Sequence, residues 1–260
     1  WNRSYIRCCF WPNRRQRRRC RRHDLGAEVT TKPSATKTTG PAKQSLAGQV
    51  LDNLRQAIRN GIYQPGQRMR EAEVASNLGV SRTPVREAFR QLQADGLLTM
   101  ETWRGVVVAH IDQQQMIELY AMRQVLEGTA AGLAAQHAAA SQIAVLGDLL
   151  DASEDETDLD KLAELNHQFH QGIYTAAHNR FLLKALHALS DSMALLPSTT
   201  YALPDRPTSA LSEHREILSA ISRHDSEAAE AFARHHITKA EHARLKVLLE
   251  WEHRNKGVQK

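Results

Sequence analysis

The chain has 260 residues, of which 42% are hydrophobic and 24% are charged, and its formal net charge is +5. This composition is typical of a soluble globular protein and excludes fibrous, collagen-like and fully disordered chains. The longest stretch without a formal charge, residues 128–147, is mostly alanine with Gln136, His137 and Ser141 inside it. We therefore expect no membrane-spanning helix and no membrane partner.

The positive charge is concentrated at the N-terminus. Residues 1–45 contain nine Arg and three Lys against two acidic residues, a net charge of +10, which leaves −5 for residues 46–260. Within that remainder, residues 46–110 have a net charge of +2 and residues 111–260 have a net charge of −7. A slightly basic module is therefore followed by an acidic one.

Residues 1–45 show no apolar periodicity and are predicted to form a disordered basic tail. Two interpretations of this tail stay open. It is either an arm that adds non-specific affinity for phosphate, or translated sequence upstream of the native start, since the chain begins with Trp1 rather than Met. All three cysteines, Cys8, Cys9 and Cys20, lie in the tail, so the remaining chain has no disulfide or thiolate metal ligand, which favours a reducing, cytoplasmic compartment.

The basic module begins with two predicted helices. The first is indicated by apolar residues that recur every four positions, namely Leu46, Val50, Leu54 and Ile58. It is expected to end near Gly61. A short second helix is predicted over Glu71–Leu78, where Gly79 ends it.

A third helix and a pair of strands complete the basic module. Ser81 is the predicted N-cap, Pro84 fits the first turn, and Gly96 ends the helix. Its predicted buried stripe consists of Val85, Ala88, Phe89 and Leu92. The runs Leu97–Met100 and Gly105–Ala109 are apolar or β-branched and predict a two-stranded wing.

The exposed face of the third helix points to nucleic acid. It carries Arg82, Thr83, Arg86 and Arg90. Two helices joined by a tight glycine turn, with Arg and Thr at the start of the second, can place guanidinium groups at base edges and hydroxyls at phosphates. The alternative, a solvated arginine on a helix surface, stays open for each of them.

The basic module resembles the DNA-binding domain of GntR-type bacterial transcription regulators, over essentially all of residues 46–110. The matching stretches are Ile58-Arg-Asn-Gly61, Pro65-Gly66, Leu78-Gly-Val-Ser-Arg-Thr-Pro-Val-Arg-Glu-Ala88, Asp95-Gly-Leu97 and Gly105. The DNA-binding residues that this resemblance implies are Ser81, Arg82, Thr83 and Arg86 at the recognition helix, Arg70 at the second helix, and Arg104 and Gly105 in the wing.

Only helices are predicted in the acidic module, because no later segment alternates like a strand. The predicted helices cover residues 112–138, 141–151, 158–177, 179–197, 208–223 and 225–252. The predicted fold is therefore mainly α, an N-terminal winged helix-turn-helix followed by an all-helical bundle. The module has no Gly-rich phosphate loop, Ser/His/Asp order or paired-carboxylate motif, which argues against a nucleotide hydrolase or acyl-transfer enzyme.

Histidine is enriched in the acidic module, where eleven of the thirteen histidines occur at or after His137. Asn166 and His170 are spaced i, i+4, which puts both on one helix face where they can share a metal ion. His214 and His236, from two later helices, could close such a site. The alternative assigns histidines to solvated helix surfaces, and we adopt it for His137, His178, His187, His224, His242 and His253.

This module resembles the effector domain of FadR-type regulators, called FCD, over most of residues 112–245. The matching stretches are Asn166-His-Gln-Phe-His170, Glu213-His-Arg-Glu-Ile-Leu-Ser-Ala-Ile221, Asp225 and Arg234-His-His-Ile237. The resemblance implies a divalent ion, Zn²⁺ or Ni²⁺, held by Asn166, His170, His214 and His236, with its open positions facing a small carboxylate. Asn166 stands where the metal-binding pattern has Asp, so the ion should be held more weakly. The alternative is a metal-free polar pocket whose histidines bind the effector directly.

Arg123 and Glu127 form an i, i+4 pair on the first helix of the acidic module. One interpretation is a surface or inter-helix ion pair. The other, by analogy with the effector domain, has Arg123 binding a carboxylate of the effector.

Together these features predict a bacterial regulator with a winged helix-turn-helix at 46–110, an effector domain at 111–252 and a C-terminal tail at 253–260. We expect a homodimer on a palindromic operator, because one recognition helix covers only a few base pairs. A small acid in the effector domain would shift DNA binding, with repression as the expected output, and the protein would be cytoplasmic and nucleoid-associated.

Two other functional classes are weighed against the regulator. A helical metal-dependent hydrolase fused to a DNA-binding module would need a general base near the ion, and Asn166 cannot serve as one. A DNA-architectural protein without an effector leaves the acidic helical module unexplained.

Overall fold

The computed structural model describes residues 45–196 and 199–256, apart from the side chains of residues 252 and 254–256. The predicted tail lies outside the described residues except for Ser45, as do residues 197–198 and the last four residues of the chain. Within the described ranges, none of the helices combines the length and the apolar character needed to cross a membrane.

The fold is mainly α, with a small N-terminal module that contains two strands and a larger module built from helices. The described elements are α1 (Leu46–Arg59), α2 (Glu71–Leu78), α3 (Arg82–Ala94), β1 (Leu98–Glu101), β2 (Gly105–Val108), α4 (Gln113–His137), α5 (Ala140–Glu154), α6 (Leu159–Ala176), α7 (Arg180–Met193), a 3-10 turn (Thr200–Ala202), α8 (Arg206–Ser222) and α9 (Ser226–Lys256). The predicted fold class is confirmed.

The N-terminal module is a winged helix-turn-helix. The predicted apolar stripe of α3 is buried against α1, and Pro84 is buried with it. Gly79 ends α2 with φ of 68°, a left-handed conformation that glycine adopts without steric cost, and this lets the chain turn directly into α3. Ser81 occupies the N-cap position of α3, but its side chain makes no capping hydrogen bond.

The wing is an antiparallel pair in which Leu98 lies opposite Val108. Each strand is within one residue of its predicted bounds at both ends. The segment before α2 is attached to the wing, because the amide of Met69 donates to the carbonyl of Val106 at 2.9 Å. The wing and the start of α2 are therefore held as one surface.

The C-terminal module is organised by α4 and α9, which pack against each other over most of their length. Small residues make this close approach feasible. A Cβ atom added to Gly132 would lie 3.2 Å from Ser226 Oγ and 3.3 Å from the backbone oxygen of Ser226, at the start of α9. Four buried alanines of α4 continue the contact: Ala130, Ala131, Ala134 and Ala135.

The helix bounds differ from the predicted ones mainly at the ends. α7 ends at Met193, four residues before the predicted end, and α8 begins at Arg206, two residues before its predicted start. The last helix continues to Lys256, through residues that were predicted to be a tail. Nothing in this segment interrupts a helix before Gly257, which explains the longer helix.

Candidate metal centre and DNA-binding surface

The first candidate surface is the outer face of α3. The structure places Arg82, Thr83, Arg86 and Arg90 on the exposed face, opposite the buried stripe. Because that stripe fixes the rotation of the helix against α1, the basic side chains can only face away from the protein. This arrangement leaves guanidinium and hydroxyl groups free to approach duplex DNA.

Arg86 on this face and Arg70 beside it are both engaged in surface ion pairs. Arg86 Nε lies 3.2 Å from Glu71 Oε2, and Arg70 Nη1 donates to Glu73 Oε1 at 2.8 Å. Such exposed pairs contribute little to stability and can be exchanged for phosphate contacts.

Arg104 is held against the base of the wing. It donates to the carbonyl of Gly66 at 2.8 Å and to Glu101 Oε2 at 3.2 Å. Gly105 follows with φ of 76°, so the turn of the wing requires a glycine at this position.

The second candidate site is a cluster of three buried histidines from three helices: His170 on α6, His214 on α8 and His236 on α9. One ring nitrogen of each lies within 4.8 Å of the others, and the Nε2 atoms of His214 and His236 are 3.3 Å apart. The packing of these helices therefore brings together residues that are up to 66 positions apart in sequence.

Two buried carboxylates orient two of these rings. His236 Nδ1 lies 2.6 Å from Glu213 Oε2, and His170 Nδ1 lies 3.0 Å from Glu127 Oε2, off the axis of an ideal hydrogen bond. A carboxylate at Nδ1 fixes the tautomer that leaves the Nε2 lone pair free, and metal-binding histidines commonly have such a partner. Glu213 thus directs His236 Nε2 toward His214 Nε2, while Glu127 lies beside the Nδ1 atom of His170.

The charge states suit a ligand set for a cation. Burial, followed by the neighbouring histidines, lowers the pKa of His214 well below its usual value. Burial, His170 and Arg206 lower the pKa of His236 in the same direction, so both rings are neutral at pH 7. Burial alone would raise the pKa of Glu127, but Arg123 and His170 outweigh it and hold that pKa well below its usual range.

The residues fit a divalent metal ion. His170 Nε2 is buried and has no hydrogen-bond partner among the described residues, which is costly unless a ligand occupies the cluster. Two nitrogens bound tetrahedrally to Zn²⁺ at about 2.0–2.1 Å are about 3.3 Å apart, and this matches the His214–His236 separation. The three histidines would hold the ion, which would supply a Lewis-acidic centre for an anionic oxygen.

A cavity of about 120 Å³ adjoins the cluster. Its polar walls include Arg123, Asn166, His170 and Tyr174. A second, smaller cavity is lined by His214 and also by Asn166. The predicted ligand Asn166 therefore lies between the two cavities beside the histidine cluster.

The Arg123–Glu127 pair is buried, not a surface pair. Arg123 Nε donates to Glu127 Oε1 at 2.6 Å, and only 11% of the Arg123 side chain is exposed. Burial lowers the pKa of Arg123, but Glu127 outweighs it and raises that pKa, so the guanidinium keeps its charge inside the cavity wall.

Sequence reasoning missed several residues of this site. Glu213 was recognised only as part of a motif, and its role as a partner of His236 was not predicted. Arg206 was not considered, although its Nη1 contacts both Glu213 oxygens at 2.9–3.0 Å. The i, i+4 spacing of Glu127 from Arg123 indicated that these two residues form a pair. The contact of Glu127 with His170 joins two helices, so a pattern within one helix does not indicate it.

The remaining histidines agree with the predicted surface assignment. His137, His178, His187, His224, His242 and His253 are exposed. His235 is also exposed, while its neighbour His236 is buried, as the rotation of about 100° per residue in a helix requires.

Two family models match the chain. Residues 46–108 match the model described as bacterial regulatory proteins, gntR family, and residues 118–239 match the FCD domain. The two matches coincide with the winged module and with most of the helical module.

Individual relatives agree with these matches. The uncharacterized HTH-type transcriptional regulator YdhC of Bacillus subtilis is 31% identical over 185 residues, which are 70% of this chain and 83% of that protein. A Paenarthrobacter nicotinovorans protein named "Probable D-xylose utilization operon transcriptional repressor" is 33% identical over 198 residues, 75% of this chain and 87% of that protein. This chain belongs to the GntR family of bacterial regulatory proteins. The solved structure of E. coli McbR/YncC has the same fold, with a TM-score of 0.67 at 24% identity over 80% of this chain and 99% of that one.

As a GntR-family member with an FCD domain, the protein is a DNA-binding transcription regulator and not an enzyme. The hydrolase alternative finds no support among its relatives. The resemblances seen in the sequence are confirmed at the level of both domains.

The carboxylate of Glu213 should be more important for stability than an exposed carboxylate. We expect Glu213→Gln to lower the free energy of unfolding by about 3 kcal/mol, because it leaves the buried Arg206 without a counter-charge. Glu230→Gln, which breaks the exposed pair with Arg234, should cost less than about 1 kcal/mol. Urea unfolding with an unchanged m-value measures both, and equal losses would contradict the buried-pair assignment.

Proposed function

We propose that this regulator binds a palindromic operator as a homodimer and that its helical module binds a small carboxylate beside a divalent ion. The observation that carries the proposal is the buried triad of His170, His214 and His236, with an unpartnered Nε2 and an adjoining cavity that contains a charged arginine. Because relatives include named repressors, we propose repression as the output. A DNA-bound regulator would act in the cytoplasm, at the nucleoid.

Operator recognition is assigned to the exposed start of α3, in particular to Arg82, Thr83 and Arg86, with Ser81, Arg70, Arg104 and Gly105 in supporting contacts. Arg82 and Thr83 lie in the first turn, which leads the helix toward a groove in helix-turn-helix complexes. Arg70 and Arg104 lie on the flanking α2 and wing, where phosphate contacts would set the register.

Arg82→Ala should remove much of the discrimination between operator and random DNA. Losing a bidentate contact to guanine costs about 1–3 kcal/mol, whereas binding to phosphates alone is nearly independent of sequence. The measurement is a competition titration on a duplex selected from a random pool by the wild-type protein. Arg180→Ala, on α7 of the other module, is the control, and retained discrimination in Arg82→Ala would contradict the assignment.

The homodimer is proposed because a single α3 reads too few base pairs for a specific site, and two copies related by a two-fold axis match a palindrome. Three apolar side chains of α4 are exposed and available to a second copy: Ile117, Met122 and Val125. Titration of the selected duplex with the wild-type protein should accordingly saturate at two chains per duplex.

The metal proposal assigns the ligands His170, His214 and His236, with Asn166 as a weak fourth ligand. We expect calorimetry to show one Zn²⁺ or Ni²⁺ per chain. His214→Ala should weaken binding by more than the roughly 100-fold seen at most for outer-shell changes. Asn166→Asp should strengthen it, because a carboxylate replaces a neutral amide oxygen.

His235→Ala is the matched control, since this exposed residue is the neighbour of His236. Equal metal binding by the wild type, His214→Ala and His235→Ala would contradict the metal proposal. It would favour the alternative, in which the histidines bind the effector directly.

A carboxylate effector follows from the charge balance of the site. Arg123 is paired with Glu127 and Arg206 with Glu213, and the rings of His214 and His236 are neutral, so a divalent ion would add charge that no buried carboxylate cancels. The cavity is slightly smaller than the roughly 150 Å³ cavity that accepts benzene in a protein core, which favours an acid of only a few carbon atoms.

A thermal-shift screen of small carboxylic acids, with and without Zn²⁺, tests this ligand class. An acid at a hundred times its dissociation constant should stabilise the wild type by about 2.7 kcal/mol. Arg123→Lys keeps the charge but loses the planar fork, so it should reduce the shift. No shift from any acid, in either buffer, would contradict the carboxylate proposal.

A further inference from the structure

One carboxylate of the helical module is held by two arginines of the DNA-binding module. Asp191, in the last turn of α7, accepts from Arg59 Nε at 2.7 Å. Arg55 Nε lies 3.1 Å from its other oxygen, at an angle that makes an ion pair without a hydrogen bond. Only 14% of the Asp191 side chain is exposed, so solvent screens this contact less than an ordinary surface pair.

Apolar packing continues the same contact. Leu195, two residues after α7 ends, is buried in the core cluster of the DNA-binding module, together with Val50 and Leu54 of α1. Ala194 packs against that cluster. The end of α7 is thus inserted into the N-terminal module and does not merely touch its surface.

The arginines extend the contact to the recognition helix. Arg55 Nη2 donates to Asp95 Oδ2 at 2.5 Å, and Asp95 is the C-cap of α3. Gln91, in the last turn of α3, donates to the other Asp95 oxygen at 2.9 Å. A continuous path of charged contacts therefore runs from Asp191 through Arg55 to the end of the helix assigned to DNA.

The other side of α7 faces the effector cavity. Leu186, Leu189, Ser190 and Met193 line that cavity, and Ser190 directly precedes Asp191. Because a helix moves as a stiff element, the placement of Asp191 and the shape of the cavity wall are not independent.

We propose that Asp191 is a positioning residue for operator recognition: it fixes α1, and through Arg55 the C-terminal end of α3, relative to the helical module. In a regulator that reads two half-sites, the two recognition helices must be held at one spacing. The contact sets this placement without touching DNA. The proposal rests on the DNA-binding function and on the proposed homodimer, and on neither the metal nor the effector.

The test uses the full chain, in buffer with chelator, and duplexes selected by the wild-type protein from a random pool. Asp191→Asn keeps the shape and removes the charge, and we expect the ratio of random-duplex to operator dissociation constants to fall about tenfold, converted from about 1.4 kcal/mol. Affinity for random duplex and the salt dependence of operator binding should stay unchanged. Asp148→Asn, an exposed aspartate of α5, is the control and should alter neither quantity.

Arg59→Gln is the second variant, because it leaves the Arg55–Asp191 pair in place and keeps the test decisive if Asp191→Asn loses its cooperative melting transition. It should also lower discrimination. The double variant should lose no more discrimination than Asp191→Asn alone, since both substitutions remove the Arg59–Asp191 pair.

Three results would overturn the proposal. The first is unchanged discrimination in both single variants. The second is strictly additive losses in the double variant. The third is a salt slope reduced by about 1 in Arg59→Gln, because that result would identify Arg59 as a phosphate contact.

Discussion

The fold of the helical module depends on giving each buried carboxylate a partner, either a cation or an imidazole N–H group. Glu127 and Glu213 are almost fully buried, and each contacts one arginine and one histidine ring. A buried carboxylate without such partners would cost several kcal/mol or become protonated. This constraint fixes the rotation of α4, α6, α8 and α9 about their axes, and the histidine cluster follows from that rotation.

The division of charge between the two modules affects the orientation in which the protein approaches DNA. Residues 111–260 carry a net charge of −7, whereas residues 46–110 carry +2. A polyanion such as DNA therefore repels the helical module and attracts the winged one, so electrostatics alone favours one orientation of approach. The contact between Asp191 of the acidic module and Arg59 of the basic module joins opposite charges, in agreement with this division of charge.

Most helices were predictable because their signals are local. The stripe of α3 and the glycine after α2 depend on residues within a few positions of one another. The structure also brings together three of the proposed metal ligands, the histidines on α6, α8 and α9. The contact of Glu213 with His236 was not predicted, nor was the pair of Asp191 and Arg59 between the modules, whose residues are 132 positions apart. Such pairs depend on helix packing, which periodicity within one helix does not encode.

The glycine at the α4–α9 crossing limits how this scaffold can diversify. Even a methyl group at Gly132 would meet a backbone oxygen of Ser226, which cannot swing aside as a side chain can. A larger residue there would separate the two longest helices and draw His236 away from the other two histidines. New ligand preferences are therefore most accessible through substitutions of residues on α6 and α7 that line the cavity and take no part in this crossing.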